Sequence, residues 1–375
     1  MARKAQTLPR HTNLASQSLR IVASIVDIAI GLAITLGMFF GCFNLIFNTK
    51  TVPLQKQVED YRVNSHLLVR KEDGTITTVE NKSEVYEATL EGYYLRYLPG
   101  KPLEGESVAP NWDKPFKVDG KEVLPSEYYT VRFFNKEVLG ITQENPDGEK
   151  SASYFTYQKD GEGNYLYDEI AVPRKERYNP STGAKEEITD TILLGYYQEI
   201  YVVAFYHFAG QDFYQTSLNE LTFYYSLAVV LAIFVAGVIT YIVLPLFLKN
   251  GQTLGKLIFK MGLATYDGYK FHPWQLLLRF VPFLIVDVSL LLPIWNNIFL
   301  VFAFVVVVLL ISFALMMASP KRAALHDFAA RTIVVDLNSS IIFENELEEE
   351  EYIEKEDNLP KEVYAGEEPE LKYER

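Results

Sequence analysis

Apolar residues are distributed unevenly along the chain. Long stretches with at most one or two charges occur near residues 21–47, 221–248, 275–296 and 298–319, separated by polar segments of very different length. A bilayer core about 30 Å thick needs roughly 20 apolar residues in helix, so the pattern predicts four membrane-spanning helices. The last two form an apolar run interrupted only at Pro293-Ile294-Trp295-Asn296-Asn297. Proline and the asparagine pair supply turn chemistry there, which predicts a helical hairpin. The first stretch exceeds the 7–15 residues of a signal-peptide core, lacks an A-x-A site after it and contains Asp27, so a retained helix is expected.

Between the first two spans the pattern changes to short β-type runs. Leu67–Arg70 and Thr75–Val79 flank an Asp73-Gly74 step and predict a hairpin. Asp-Gly steps at 119–120, 147–148 and 160–161 punctuate runs such as Tyr128–Phe134 and Tyr154–Tyr157. Helical segments are expected at about 84–98 and 189–218, where Ile192, Leu193, Tyr196, Tyr197 and Ile200 recur at helical spacing. The fold class is therefore an α-helical membrane bundle of four transmembrane helices with an inserted extracytoplasmic α+β domain, mostly antiparallel β. Its expected order is a cytoplasmic N-terminus (1–20), helix one (21–47), the inserted domain (48–219) and helix two (220–248). A cytoplasmic loop with an interfacial helix (249–273), helix three (274–296), helix four (297–319), a cytoplasmic segment (320–343) and an acidic tail (344–375) follow.

Charge gives the orientation. The chain has a formal charge of −13, yet residues 48–219 carry 28 acidic against 19 basic groups and residues 344–375 carry 14 against 4, so the membrane portion is basic. Arg3, Lys4, Arg10 and Arg20, then Lys249, Lys256, Lys260 and Lys270, then Lys321, Arg322 and Arg331 form three clusters. The positive-inside rule puts all three in the cytoplasm and residues 48–219 outside a prokaryotic plasma membrane. From Glu344 onward the chain is too charged to bury a core and is expected to be disordered. The single cysteine, Cys42, lies in the first span, so the external domain is expected to fold without a disulfide.

Ionised groups within the bilayer cost about 2.5–3.5 kcal/mol each on insertion scales and usually face protein or water. Arg20 and Asp27 lie two turns apart on helix one; Arg279 and Asp287 lie about one and three turns into helix three. Depth pairs Asp27 with Arg279, while Arg20 is expected to reach the headgroups. Two readings stand: an ion pair fixing the packing of helices one and three, or a polar path for a proton or cation with Asp27 and Asp287 as its carboxylates. Gly37 and Gly41 give a G-x-x-x-G spacing that would suit homo-oligomer contact. His66 and His207 are isolated, so no metal or cofactor is expected. Nothing suggests nucleic acid, and the expected partners are the lipid bilayer and an extracytoplasmic ligand or protein.

The loop Gly251-Gln252-Thr253-Leu254-Gly255-Lys256 lacks the Walker spacing. Leu254, Leu257, Ile258 and Met261 instead predict a short amphipathic helix on the inner headgroups. Leu325-His326-Asp327 precedes a strand-like run, Thr332–Asp336; no nucleophile or metal set accompanies His326 and Asp327, so a structural use is expected rather than an enzyme. Together these residues resemble the RDD family of prokaryotic membrane proteins, on Arg20, Asp27, the 251–256 loop with Asp267-Gly268, Arg279 and Leu325-His326-Asp327. The arginine and two aspartates of its name map to Arg20, Asp27 and Asp327. The resemblance covers roughly residues 14–47 and 220–337. It implies a membrane core associated with transport of an ion or small ligand. Two departures stand out: family members usually join the first two helices by a short connection, and this chain has Ala330-Arg331-Thr332 where small Gly-Thr residues are common. The alternative is a membrane-anchored binding or envelope-assembly protein acting through residues 48–219.

Overall fold

The computed structural model describes residues 11–144, 151–290 and 298–357. The chain divides into two compact units, one of Met1–Asn48 with Phe223–Arg375 and the other of Thr49–Thr222. The helices used below are α1 (Gln17–Met38), α2 (Asn44–Asn64), α3 (Ser83–Glu91), α4 (Asp190–Ala209) and α5 (Asp212–Val238). They continue with α6 (Leu254–Ile258), α7 (Pro273–Ser289), α8 (Ile298–Ala318), α9 (Leu325–Ala330) and α10 (Glu346–Asp357). Strands β1 (Met261–Thr265) and β2 (Thr332–Asp336) pair antiparallel in register Met261↔Asp336 to Thr265↔Thr332.

In the first unit, Ser16 opens α1 by accepting from the Leu19 amide, the usual satisfaction of an orphan helix donor. α1 runs through a π turn at Phe39–Phe43 into α2, giving 48 helical residues, and α5 runs through a second π turn at Ile239–Val243 to Phe247, giving 36. Both are long and apolar enough to cross a bilayer, and Ala303–Ala318 of α8 is a shorter apolar helix. Ile25, Ile28, Leu32, Leu36 and Phe40 are exposed apolar side chains along this helix. The predicted turn at Pro293–Asn297 lies outside the described residues.

The β1–β2 pair corrects the reading of the 249–273 loop. The amphipathic helix expected to include Met261 stops at Ile258; Lys260 adopts φ 50° and Met261 begins a strand. Its partner, the β-branched run Thr332-Ile333-Val334-Val335, arrives from some seventy residues away, a pairing that local periodicity does not contain. Met261, Leu263 and Val334 pack on one side with Ala15, Ala23 and Leu276; Ala264, Ile333 and Val335 pack on the other with Leu14 and Leu337. This ribbon is buried on both faces, which supplies the stability that two strands in water lack.

The acidic segment also departs from expectation. Residues expected to be disordered from Glu344 form α10 over Glu346–Asp357. Asn345 accepts from the Glu348 amide, Lys270 pairs with Glu344, and Tyr269 donates to Glu349. Tyr352 packs against Phe343 and His11. The burial comes from neighbours rather than from the segment's own composition.

The second unit has one core built largely of aromatics, with Tyr93, Tyr97, Tyr197, Phe155 and Phe208 fully buried. The π turn at Gly92–Tyr97 supplies the first two rings, α4 supplies Tyr197 and Phe208, and α3 packs on α4. The hairpin at Leu68–Arg70 and Ile76–Thr78 and the strand at Phe155–Thr156 are where the sequence puts them. The sheets, however, are only two-stranded pieces, so the unit is not mostly β. Tyr128–Phe134 is not extended: the short helices Pro125–Tyr128 and Val131–Phe133 meet at a turn through Tyr129-Thr130, and the Tyr129 and Phe133 rings lie edge-on 4.8 Å apart. Aromatic residues pack on a pleated surface and in short helical turns alike, so their type alone did not decide.

A buried carboxylate shared by two arginines

Three pieces of chain converge on Asp327, which is completely buried in the first turn of α9. Arg20 of α1 donates through Nη2 to Asp327 Oδ2 at 2.5 Å, and its other guanidinium nitrogen caps the carbonyl of Arg322. Arg279 of α7 donates through Nη1 to Asp327 Oδ1 and to Thr332 Oγ1. The Ala324 amide adds a bond to Oδ2 at 3.1 Å. Burial alone pushes the Asp327 carboxyl up, but the surrounding cations, Arg279 foremost, outweigh it and hold it well below the ordinary carboxylate range. Arg20 therefore does not reach for headgroups as expected; it is 6% exposed and closes a buried three-residue ion network.

Asp27, 4% exposed, has different partners from the arginine that depth suggested. Thr253 Oγ1 donates to its Oδ2 at 2.5 Å and the Gly255 amide to its Oδ1 at 2.8 Å. Thr253 also caps α6 through the Lys256 amide. The loop thus docks on α1 at one carboxylate. Gly255 makes the approach possible, because a Cβ there would sit 2.2 Å from the Ala23 carbonyl oxygen. Gly251 takes φ +62° against the Phe271 ring, and Gln252 donates to the Met261 carbonyl at 2.9 Å, tying the loop to β1. Leu257 and Ile258 remain exposed on the opposite side of α6. Lys256 is pushed down to about 8, first by burial and then by the Arg279 charge. His326 stands 3.5 Å from Asp327, with 40% of its side chain exposed.

Asp287 stands apart from both clusters. It is 2% exposed on α7, and neither carboxylate oxygen has a hydrogen-bond partner among the described residues. Thr240, 1% exposed in the second π turn, likewise has an unpartnered hydroxyl. That turn packs against both α1 and α7, and the Thr240 hydroxyl lies close to Gly31 of α1. Leaving such groups unsatisfied costs several kcal/mol in an apolar setting. π turns recur at functional sites.

The candidate residues Arg20, Asp27, Arg279 and Asp287 thus separate into two structural clusters and one orphan. The sequence reading missed Thr332, Arg322 and Thr240. Thr332 carries a signal in retrospect, a hydroxyl opening a buried strand two residues after a helix; Thr240 carries none in an otherwise apolar run. The RDD family model matches residues 188–331, consistent with an RDD-family membrane protein. No curated protein and no solved structure matches the chain.

Proposed function

We propose that this is a multi-pass membrane protein whose core carries a proton or monovalent cation across the bilayer, with Asp287 as its binding carboxylate. Four spans, both termini in the cytoplasm and residues 48–219 outside follow from the basic clusters and the apolar stretches. The observation that carries the transport reading is the Asp287 carboxylate, without a partner among the described residues and buried at 2% exposure in a helix of the matched family region. A carboxylate kept in an apolar segment with no protein donor holds an unfilled place for a cation. The Arg20–Asp327–Arg279 network and the Asp27-docked loop then act as the frame: they fix α1, α7 and α9 to one another and need not change during a cycle. Purified protein in proteoliposomes should dissipate an imposed proton, sodium or potassium gradient faster than protein-free vesicles. Equal rates for all three ions would overturn the reading.

A second reading has its own support. On α4, Val202, Val203 and Tyr206 are 50%, 63% and 73% exposed, an apolar patch that suits a binding partner. On that reading the protein is a membrane-anchored binding or envelope-assembly protein, and neither reading calls for an enzyme. Replacing residues 52–215 with a short linker separates the two. Flux that survives the deletion belongs to the membrane core, and function lost despite correct insertion belongs to the external unit.

A further inference from the structure

Within the second unit, one face of α2 and the chain after the Gly92–Tyr97 π turn enclose a groove of about 530 Å³. Lys56, Gln57, Asp60 and Asn64 line the helical wall, with Ser107 and Val108 opposite. The other charges of this part of α2 are engaged in the fold: Glu59 pairs with Arg70 at 3.2 Å, and Arg62 donates to the Tyr214 hydroxyl at 2.8 Å. Lys56 and Asp60 are not. Neither has an ion-pair or hydrogen-bond partner among the described residues, not even the other, although they lie one turn apart. Lys preceding Asp is the weaker orientation for an i,i+4 pair, so the two charges stay available to a ligand. Asn64 and Ser107 also have side chains without a partner among the described residues. Tyr97, 1% exposed, also lines the groove, and its buried hydroxyl has no partner among the described residues.

We infer that this groove binds a short peptide with both termini free, its carboxylate on Lys56 and its ammonium on Asp60. The opposite charges fit a zwitterion rather than an anion or a cation. The Cβ atoms of residues one helical turn apart lie about 5–6 Å from each other, and the flexible Lys56 and Asp60 side chains extend from there to span the two ends of a dipeptide. Asn64 and Ser107 supply donors and acceptors for the intervening amide, and Tyr61 and Val108 give its side chains apolar surface. A free amino acid has the charges but no amide for Asn64 and Ser107, so it should bind more weakly. The site is independent of Asp287, and either proposal can fail alone.

The test is calorimetric titration of the full chain in nanodiscs with alanyl-alanine, its N-acetyl form, its C-terminal amide and free alanine. The uncapped dipeptide should bind, and either cap should weaken it at least tenfold. Lys56→Gln should lose affinity and become indifferent to the C-terminal amide; Asp60→Asn should do the same for N-acetylation. Both side chains reach solvent, and unchanged thermal unfolding would confirm that the variants fold. The capped ligands test the wild-type protein without any substitution. Absence of heat with alanyl-alanine at millimolar concentration, equal affinity for capped and uncapped forms, or tighter binding of alanine than of alanyl-alanine would overturn the proposal.

Discussion

Asp327→Asn tests the frame most severely. The substitution keeps the side chain's shape and an oxygen for the Ala324 amide, but removes the only carboxylate bonded to both Arg20 and Arg279. Each guanidinium–carboxylate attraction is worth about 4 kcal/mol near 4 Å at an effective dielectric of 20, offset by desolvation and by repulsion between the two arginines. Measured losses on breaking one partner of a buried pair run to about 3–5 kcal/mol, and two cations stranded at 6% and 9% exposure belong at the upper end. Unfolding in detergent, followed by circular dichroism, should show that loss for Asp327→Asn. Substituting Arg20→Gln and Arg279→Gln in the same chain should recover part of it, because the stranded charges are gone. The pH dependence has a fixed sign. A carboxylate depressed in the folded state contributes fully above its unfolded value, about 3.9, and loses the contribution as pH falls below that toward the folded value. The gap between wild type and Asp327→Asn should therefore be constant above about pH 5 and narrow below about pH 4. A loss under about 0.5 kcal/mol, or a gap that widens in acid, would refute the network as the frame.

Further outcomes follow from the same contacts. Gly255→Ala should cost about 1–3 kcal/mol or more, read by the same unfolding assay, because its Cβ meets the Ala23 backbone rather than a movable side chain. Lys256→Met should stabilise the protein at neutral pH. Wild-type stability should rise with pH from about 8 toward the unfolded lysine value near 10.4, closing the difference from the variant. In a Cys42→Ser background, Lys121→Cys should react with a membrane-impermeant maleimide on intact cells and Leu347→Cys only after lysis; the reverse pattern would contradict the orientation.

The residues of the frame were legible because charges and glycines in apolar runs are conspicuous: Arg20, Asp27, Gly255, Arg279 and Asp327 all stand out. Their partnerships were not. Depth along two helices suggested Asp27 with Arg279, but α9 and β2 deliver Asp327 and Thr332 to Arg279, while the 251–256 loop delivers Thr253 and the Gly255 amide to Asp27. Both assignments are contacts of high sequence separation, between residues 48 to 228 positions apart. In the second unit, helices near 84–98 and 189–218 were readable from spacing, whereas Tyr128–Phe134 was misread because aromatic residues serve either backbone. α10 was hidden for another reason: its glutamates and Tyr352 meet partners far away in sequence, Tyr269 on Glu349 and His11 on Tyr352, while Lys270 holds Glu344 just before it.

On the proposed reading, Asp287 is kept, at a stability cost of about 2.5–3.5 kcal/mol, because it binds the transported cation. The most direct test of that reading is flux per folded molecule in proteoliposomes for wild type and Asp287→Asn, with unfolding measured on the same preparations. The variant should be more stable than wild type and carry no flux above protein-free vesicles. Undiminished flux in Asp287→Asn would contradict it.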